Sequence, residues 1–109
     1  MNLNDLSTAL LTVSQSVYHY HALNKEVPYI VWAEDGAGAA VIADDHVTEQ
    51  TIIGTVDYFT HQENDPNFDK IQQALNSIDI SWRLNSVQYE DDTKIIHYEW
   101  AWELAAWHG

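Results

Sequence analysis

The feature that most constrains the fold is a strict alternation, over residues 94–104, between large apolar side chains and mostly smaller or polar ones. Side chains of a β-strand point alternately to the two faces of a sheet, and a strand with one polar face is typical of an antiparallel sheet. The alternation therefore predicts an antiparallel strand with one buried face. That face comprises Ile96, Tyr98, Trp100, Trp102 and Leu104, opposite Ile95, His97, Glu99, Ala101 and Glu103.

Three further segments have the composition of strands. Residues 80–89 precede the alternating segment, and the acidic turn at 90–93 predicts that the two form a β-hairpin. Residues 27–33 and 47–61 are rich in β-branched and aromatic side chains. In the latter segment, the face predicted to be shared comprises Ile52, Gly54, Val56 and Tyr58.

Two segments show the three- and four-residue spacing of an amphipathic helix. The first spans about residues 3–18 behind a capping residue, Asn2, and the second begins at Asp65 and Pro66 and runs to about Ser77. The apolar stripes are Leu3, Leu6, Leu10, Val13 and Val17 in the first helix, and Phe68, Ile71, Leu75 and Ile78 in the second.

The resulting element order is α-β-β-α-β-β. It predicts an α/β chain of the α+β type, with a mainly antiparallel mixed sheet of about four strands packed against two helices. A chain of 109 residues is typical of one domain, so we assign residues 1–109 to a single domain. Residues 34–46 are rich in glycine and alanine and predict a flexible loop within it.

Charge and composition exclude several classes of function. Acidic residues outnumber basic ones 17 to 4, giving a net charge of −13. Such a surface repels phosphate, so we expect neither specific DNA binding nor attraction to anionic membranes. No stretch approaches the about 18 apolar residues of a membrane span. The chain has no cysteine, which excludes disulfides, thiolate zinc sites and cysteine nucleophiles.

The sequence contains no complete motif for catalysis, cofactor binding or metal binding. A glycine-rich run after the first strand resembles a dinucleotide fingerprint, but Val41 replaces its third glycine or alanine. A calcium-like opening at Asp65 fails because Lys70 and Asn76 stand where glycine and glutamate are required. We therefore expect a protein that is not an enzyme, with no catalytic, cofactor-binding or metal-ligating residues.

Four segments together share the pattern of a known family. They read VPYIVWAE at 27–34, GTVDYFT at 54–60, SWRLNSVQY at 81–89 and YEWAWE at 98–103. In this order, with the two helices, they resemble the small tail terminator proteins of long-tailed bacteriophages (siphoviruses) and prophages, also called tail-to-head joining or tail completion proteins. The resemblance covers nearly the whole chain and consists of strand patterns without any catalytic signature.

The resemblance implies a structural role in virion assembly. Copies would form a ring, usually a hexamer, that ends the tail tube and joins it to the head connector, or neck, protein. DNA would pass through the ring without sequence readout. The expected location is the tail or neck of the virion, after assembly in the host bacterial cytoplasm. Two alternatives stay open: a head-completion or minor capsid component, and a small acidic inhibitor that masks a basic partner.

The apolar part of the predicted loop is the candidate interface. Five consecutive apolar residues are rare in an exposed loop, so we expect them to contact a neighbouring subunit or the tail tube. The alternative is a linker that makes no contact, with the interface elsewhere. The candidate interface residues are Ala39, Ala40, Val41, Ile42, Ala43 and Trp107.

Overall fold

A computed structural model describes residues 2–43 and 46–106, without the side chains of 39–43, 46–49 and 106. The predicted α+β fold is confirmed, with one additional strand that makes the order α-β-β-β-α-β-β. Neither helix in the described residues is long and apolar enough to cross a membrane. The elements are α1 (Leu3–Leu11), β1 (Val17–His19), β2 (Tyr29–Ala43), β3 (His46–Thr60), α2 (Pro66–Asn76), β4 (Ser81–Glu90) and β5 (Ile95–Ala106).

The five strands form one mixed sheet in the order β1-β2-β3-β5-β4. β1 pairs with β2 in parallel, and every other neighbouring pair is antiparallel. Two hairpins, β2–β3 and β4–β5, therefore meet through β3 and β5 at the centre of the sheet. This arrangement leaves β4 at one edge and the short β1 at the other.

Both helices cover the same face of the sheet, and the core lies between these two layers. Trp100 is fully buried and Trp102 is 3% exposed, which confirms the predicted burial of both side chains. Phe68 of α2 meets the ring of Trp100 edge-on, and Gln72 of α2 accepts a hydrogen bond from the Trp100 indole at 3.1 Å. The other core residues are Leu6, Leu10, Ile30, Trp32, Val56, Tyr58, Ile71, Leu75, Ile96, Tyr98 and Leu104.

The helix predicted over 3–18 is wrong in its second half, because α1 ends at Leu11. The Thr12 hydroxyl donates to the carbonyl oxygen three residues earlier, and Ser14 Oγ accepts from a backbone N–H two residues later. Such hydroxyl side chains compete with helical hydrogen bonds. Val17, the last residue of the predicted stripe, instead begins β1 and stays half-buried against the core.

The first residue of the second helix is fixed by a buried carboxylate. Asp65 is 7% exposed and caps α2 by accepting from the backbone N–H of Asn67 at 2.9 Å. The hydroxyls of Tyr58 and Thr60 donate to its other oxygen at 2.6 and 2.8 Å. Burial, together with the neighbouring carboxylate, raises the pKa of Tyr58 to about 12. The network ties the start of α2 to β3.

The loop predicted for residues 34–46 is wrong wherever the structure describes it. Residues 34–43 continue β2 and pair with β3, while Asp44 and Asp45 lie outside the described residues. The register of this pairing shifts between Glu34 and Gly36, and again further along. Glycine inside a strand commonly marks a bulge, so the small residues permit irregular pairing here and do not produce a loop.

Gly38 shows a second reason for small residues in β2. A Cβ atom at this position would lie 2.2 Å from Thr51 Oγ1 and 2.6 Å from Glu103 Oε2. Both distances are shorter than non-bonded contacts allow. The side chains of β3 and β5 therefore occupy the space that a larger residue in β2 would need.

Gly54 of β3 is expected to tolerate no side chain. A Cβ atom there would lie 2.1 Å from the Ala33 carbonyl oxygen and 2.4 Å from the Trp102 ring. Since overpacking a core displaces backbone and side chains, Gly54→Ala should lower the free energy of unfolding by about 1–3 kcal/mol.

Urea denaturation of Gly36→Ala provides the control for this change. A Cβ atom at Gly36 has no neighbour within 4 Å, so we expect a change within about 0.5 kcal/mol. Equal losses of unfolding free energy in the two variants would show that the close packing around Gly54 is not what makes a side chain there destabilising.

Candidate functional site

The sheet face opposite the helices, called here the open face, carries a group of carboxylates. Asp57 of β3 lies directly opposite Glu99 of β5, and Glu103 follows on the same face of β5. Like charges in directly opposed positions repel each other. The structure reduces this cost with hydrogen bonds to each carboxylate. His97 Nε2 lies 2.6 Å from Asp57, and Asn85 donates to Glu99 at 2.9 Å.

An aromatic row crosses the open face beside these carboxylates. The ring centroids of Tyr29 and Phe59 are 4.9 Å apart, and Phe59 stacks on His97 at 4.2 Å. Tyr18 of β1 meets Tyr29 edge-on at 6.3 Å. The row connects four strands and holds the imidazole of His97 against Asp57.

A shallow depression of about 340 Å³ lies on the open face across β2, β3, β5 and β4. Its polar side chains include Asp35, Arg83 and Glu103. Arg83 donates to Asn85 at 2.9 Å, so its guanidinium is already engaged on its own strand. Within residues 2–43 and 46–106, no three His, Asp or Glu side chains converge as metal ligands would.

The edge at β1 holds a second polar cluster, which sequence reasoning missed. His19 is stacked between Tyr20 and Trp32, with ring centroids 3.9 and 3.8 Å away. The Glu34 carboxylate is 2.7 Å from His19 Nε2 and also accepts from the Tyr20 hydroxyl. Burial acts to raise the pKa of Glu34, but these two hydrogen bonds outweigh it and hold the pKa below its ordinary value.

The predicted interface residues Ala39–Ala43 lie at the end of the β2–β3 hairpin. β5 pairs with β3 only as far as Gln50, opposite Ala106. Beyond that pair, β2 and β3 pair only with each other in the described part of the chain. We call this two-stranded end, residues 41–43 and 46–49, the hairpin tip. Trp107, the other predicted interface residue, lies outside the described residues.

The molecule is elongated because these strands are long. Its dimensions are 54 × 25 × 24 Å, and both β2 and β3 have 15 residues. A strand of that length extends about 50 Å, which matches the long dimension.

The β4 edge is a third surface, and sequence reasoning did not identify it. Leu84, Val87 and Tyr89 are 40%, 55% and 55% exposed, although they lie on the helix-covered face of the sheet. A register shift between Leu84 and Ser86 interrupts the alternation of the strand. This shift conceals the apolar face in the sequence, because Leu84 and Val87 are three residues apart.

Comparisons with known proteins show similarity at the level of the fold. No family model matches the sequence, and no curated protein is significantly similar to it. A crystal structure of a protein from Akkermansia muciniphila superposes with a TM-score of 0.52 at 9% identity, covering 98% of this chain and 48% of that one. At this identity the likeness concerns the fold alone.

A second structure from Akkermansia muciniphila, of a protein without its transmembrane region, gives a TM-score of 0.48 at 9% identity. The alignment covers 98% of this chain and 53% of that one. This score is too low to support an argument. The chain thus spans about half the length of both solved structures.

Proposed function

We propose that this protein is a structural assembly protein that forms a ring at the end of a phage tail tube and joins the tail to the head connector. The observation that carries the proposal is the hairpin tip, which extends past the rest of the described sheet. A two-stranded hairpin alone is only marginally stable in water. A tip that projects along the strand direction is suited to pack on a neighbouring copy.

The charge of the chain supports passage of DNA through such a ring. With 17 acidic and 4 basic residues, a copy offers phosphate little attraction. Asp57, Glu99 and Glu103 share the open face of the sheet. In the proposed ring this face borders the central channel, where it repels the DNA backbone and reads no bases.

The ring is tested by placing charge on the tip. Val41→Asp combined with Ile42→Asp is expected to abolish the ring while leaving the free energy of unfolding of the dissociated subunit within about 0.5 kcal/mol of the parent value. The physical reason is that each contact between neighbouring copies would bury two carboxylates without a partner charge. Native mass spectrometry over a salt series, with negative-stain microscopy of the rings, measures the outcome.

A double variant with the same added charge provides the control. Thr8→Asp with Gln73→Asp places two carboxylates on exposed helical positions and should leave the ring intact. A ring that survives the tip variant would contradict the assigned contact.

A wild-type chain that forms no ring at any salt concentration, but binds a basic protein one to one, would favour the alternative function, an acidic inhibitor that masks a basic partner. Salt should strengthen the ring because it screens repulsion between acidic copies.

A further inference from the structure

We propose that the outer edge of β4 is a second interaction surface, and that it pairs antiparallel with β4 of another copy of this chain. β4 lies at one edge of the sheet and has 10 residues. No other strand in the described residues pairs with its outer side. A long edge strand with unpaired N–H and C=O groups is a template for a further strand.

The side chains of this edge also lack a cover. Phe68 of α2 packs on Tyr98 and Trp100 of β5, with ring centroids 4.8 and 5.5 Å away. α2 thus covers β5, and the apolar side chains of β4 lie beyond it. Apart from Trp82, these are Leu84, Val87 and Tyr89, which are 40%, 55% and 55% exposed.

Charge favours another copy of the chain as the occupant. In a chain of net charge −13, residues 81–89 contain no acidic residue, and Arg83 is their one charged side chain. Glu90 ends the strand, so the charges of β4 cancel. β4 is therefore an edge at which two copies can approach with less repulsion than is expected elsewhere.

The pattern of β4 matches itself when the strand is reversed. The register shift at Leu84/Ser86 leaves residue 85 as the extra residue of a bulge. With that residue unpaired, an antiparallel register centred on Val87 places Leu84 opposite Tyr89 of the other copy. The same register places Arg83 opposite Glu90. Apolar side chains then meet apolar ones, and opposite charges meet, which are the pairings that stabilise a sheet.

Such pairing is a two-fold symmetric contact whose axis lies midway between the two opposed Val87 residues, perpendicular to the sheet. It makes a continuous ten-stranded sheet in which the helices of both copies lie on one side. The contact does not involve the hairpin tip. If the proposed ring also forms, with the open face towards the channel, the axis is directed radially and the β4 contact joins two rings back to back.

A single introduced cysteine tests the two-fold axis, since the chain has none of its own. In Val87→Cys the two cysteines would be opposite each other, with Cα atoms about 4.5–5.5 Å apart, which is within disulfide reach. With oxidised glutathione as electron acceptor, we expect a species of twice the 12.5 kDa chain mass on a non-reducing gel.

Tyr89→Cys is the matched control, because Tyr89 is as exposed as Val87 and lies on the same face of β4. Its two copies would be four residue rises apart, about 13 Å, too far for a disulfide. We expect the Val87→Cys dimer to form at least about tenfold faster, because pairing raises the effective thiol concentration. When Leu84→Cys is mixed with Tyr89→Cys, the mixed disulfide dimer should form faster than the homodimer of either variant, because the register places these two positions opposite each other.

The same measurements in the Val41→Asp, Ile42→Asp background separate this inference from the proposed ring. A Val87→Cys disulfide that persists there supports β4 pairing whether or not the ring exists. Equal rates for Val87→Cys and Tyr89→Cys, in protein whose circular dichroism and thermal unfolding match the parent, would overturn the two-fold pairing of β4.

Discussion

Replacing Leu75 by alanine is expected to lower the free energy of unfolding by about 2–4 kcal/mol, because a large-to-small change in a core loses apolar burial and leaves a cavity. Leu75 is fully buried at the centre of the stripe by which α2 packs on the sheet. Urea denaturation at one fixed protein concentration measures the loss, since self-association adds to apparent stability.

Leu23→Ala is the control for this change. Leu23 is 70% exposed, so the same substitution should alter the free energy of unfolding by less than about 0.5 kcal/mol. A loss of that small size at Leu75 as well would mean that the inner face of α2 is not part of the core.

Replacing Asp65 by alanine is expected to lower the free energy of unfolding by about 3 kcal/mol. The change removes a helix cap, typically worth about 1 kcal/mol, and leaves the buried hydroxyls of Tyr58 and Thr60 without their acceptor, at about 1–3 kcal/mol. Asn2→Ala is the control, since Asn2 caps α1 with an exposed side chain. Thermal and urea unfolding should show the cap loss alone, about 1 kcal/mol, for Asn2→Ala.

The Asp65 contribution should also depend on pH. Burial acts to raise the pKa of its carboxyl, but the hydrogen bonds from Tyr58, Asn67 and Thr60 outweigh this and hold the pKa below its ordinary value of 3.8. A lowered pKa in the folded state adds stability that is fully present above the unfolded pKa and is lost as pH falls through the folded value.

The difference in unfolding free energy between the parent and Asp65→Ala should therefore narrow below about pH 4. Urea midpoints measured from neutral pH down to acid conditions follow this difference. A gap that stays constant across that range would mean that the carboxylate charge contributes nothing and that only the shape of the cap matters.

The sequence predicts most strands of this fold because their burial follows a simple period. In β5, residues such as Trp100 and Glu99 alternate across a sheet with one covered face, so the pattern determines directly which side chains face the helices. α2 is equally readable, since Asp65 and Pro66 mark its start and the stripe through Leu75 defines its inner face.

The errors arise where one residue type serves two structures. Gly36 and Gly38 indicate a loop by composition, yet one lies at a register shift and the other in a close contact between strands. Val17 fits the spacing of a helix stripe, but it reaches the core from a strand after the chain turns. Both outcomes depend on neighbours that are distant in sequence.

The candidate surfaces are less predictable than the fold for the same reason. Val87 and Tyr89 are exposed because α2 covers β5 and does not extend over them. No local sequence pattern predicts how far across the sheet a helix extends. Likewise, His19 and Glu34 meet only because β1 adds to β2 in parallel. The unusual apolar composition of the hairpin tip is evident in the sequence, although its conformation is not.

The strand order also has a consequence for how the chain folds. The strands of each pair, β2–β3 and β4–β5, are neighbours in sequence, so each hairpin can form locally and quickly. The centre of the sheet is different, because its pairs run from Thr60 with Ile96 to Gln50 with Ala106. Closing such long loops is slow. We therefore expect the rate-limiting step of folding to be the docking of the two hairpins, in which β3 pairs with β5 and α2 packs over that pair.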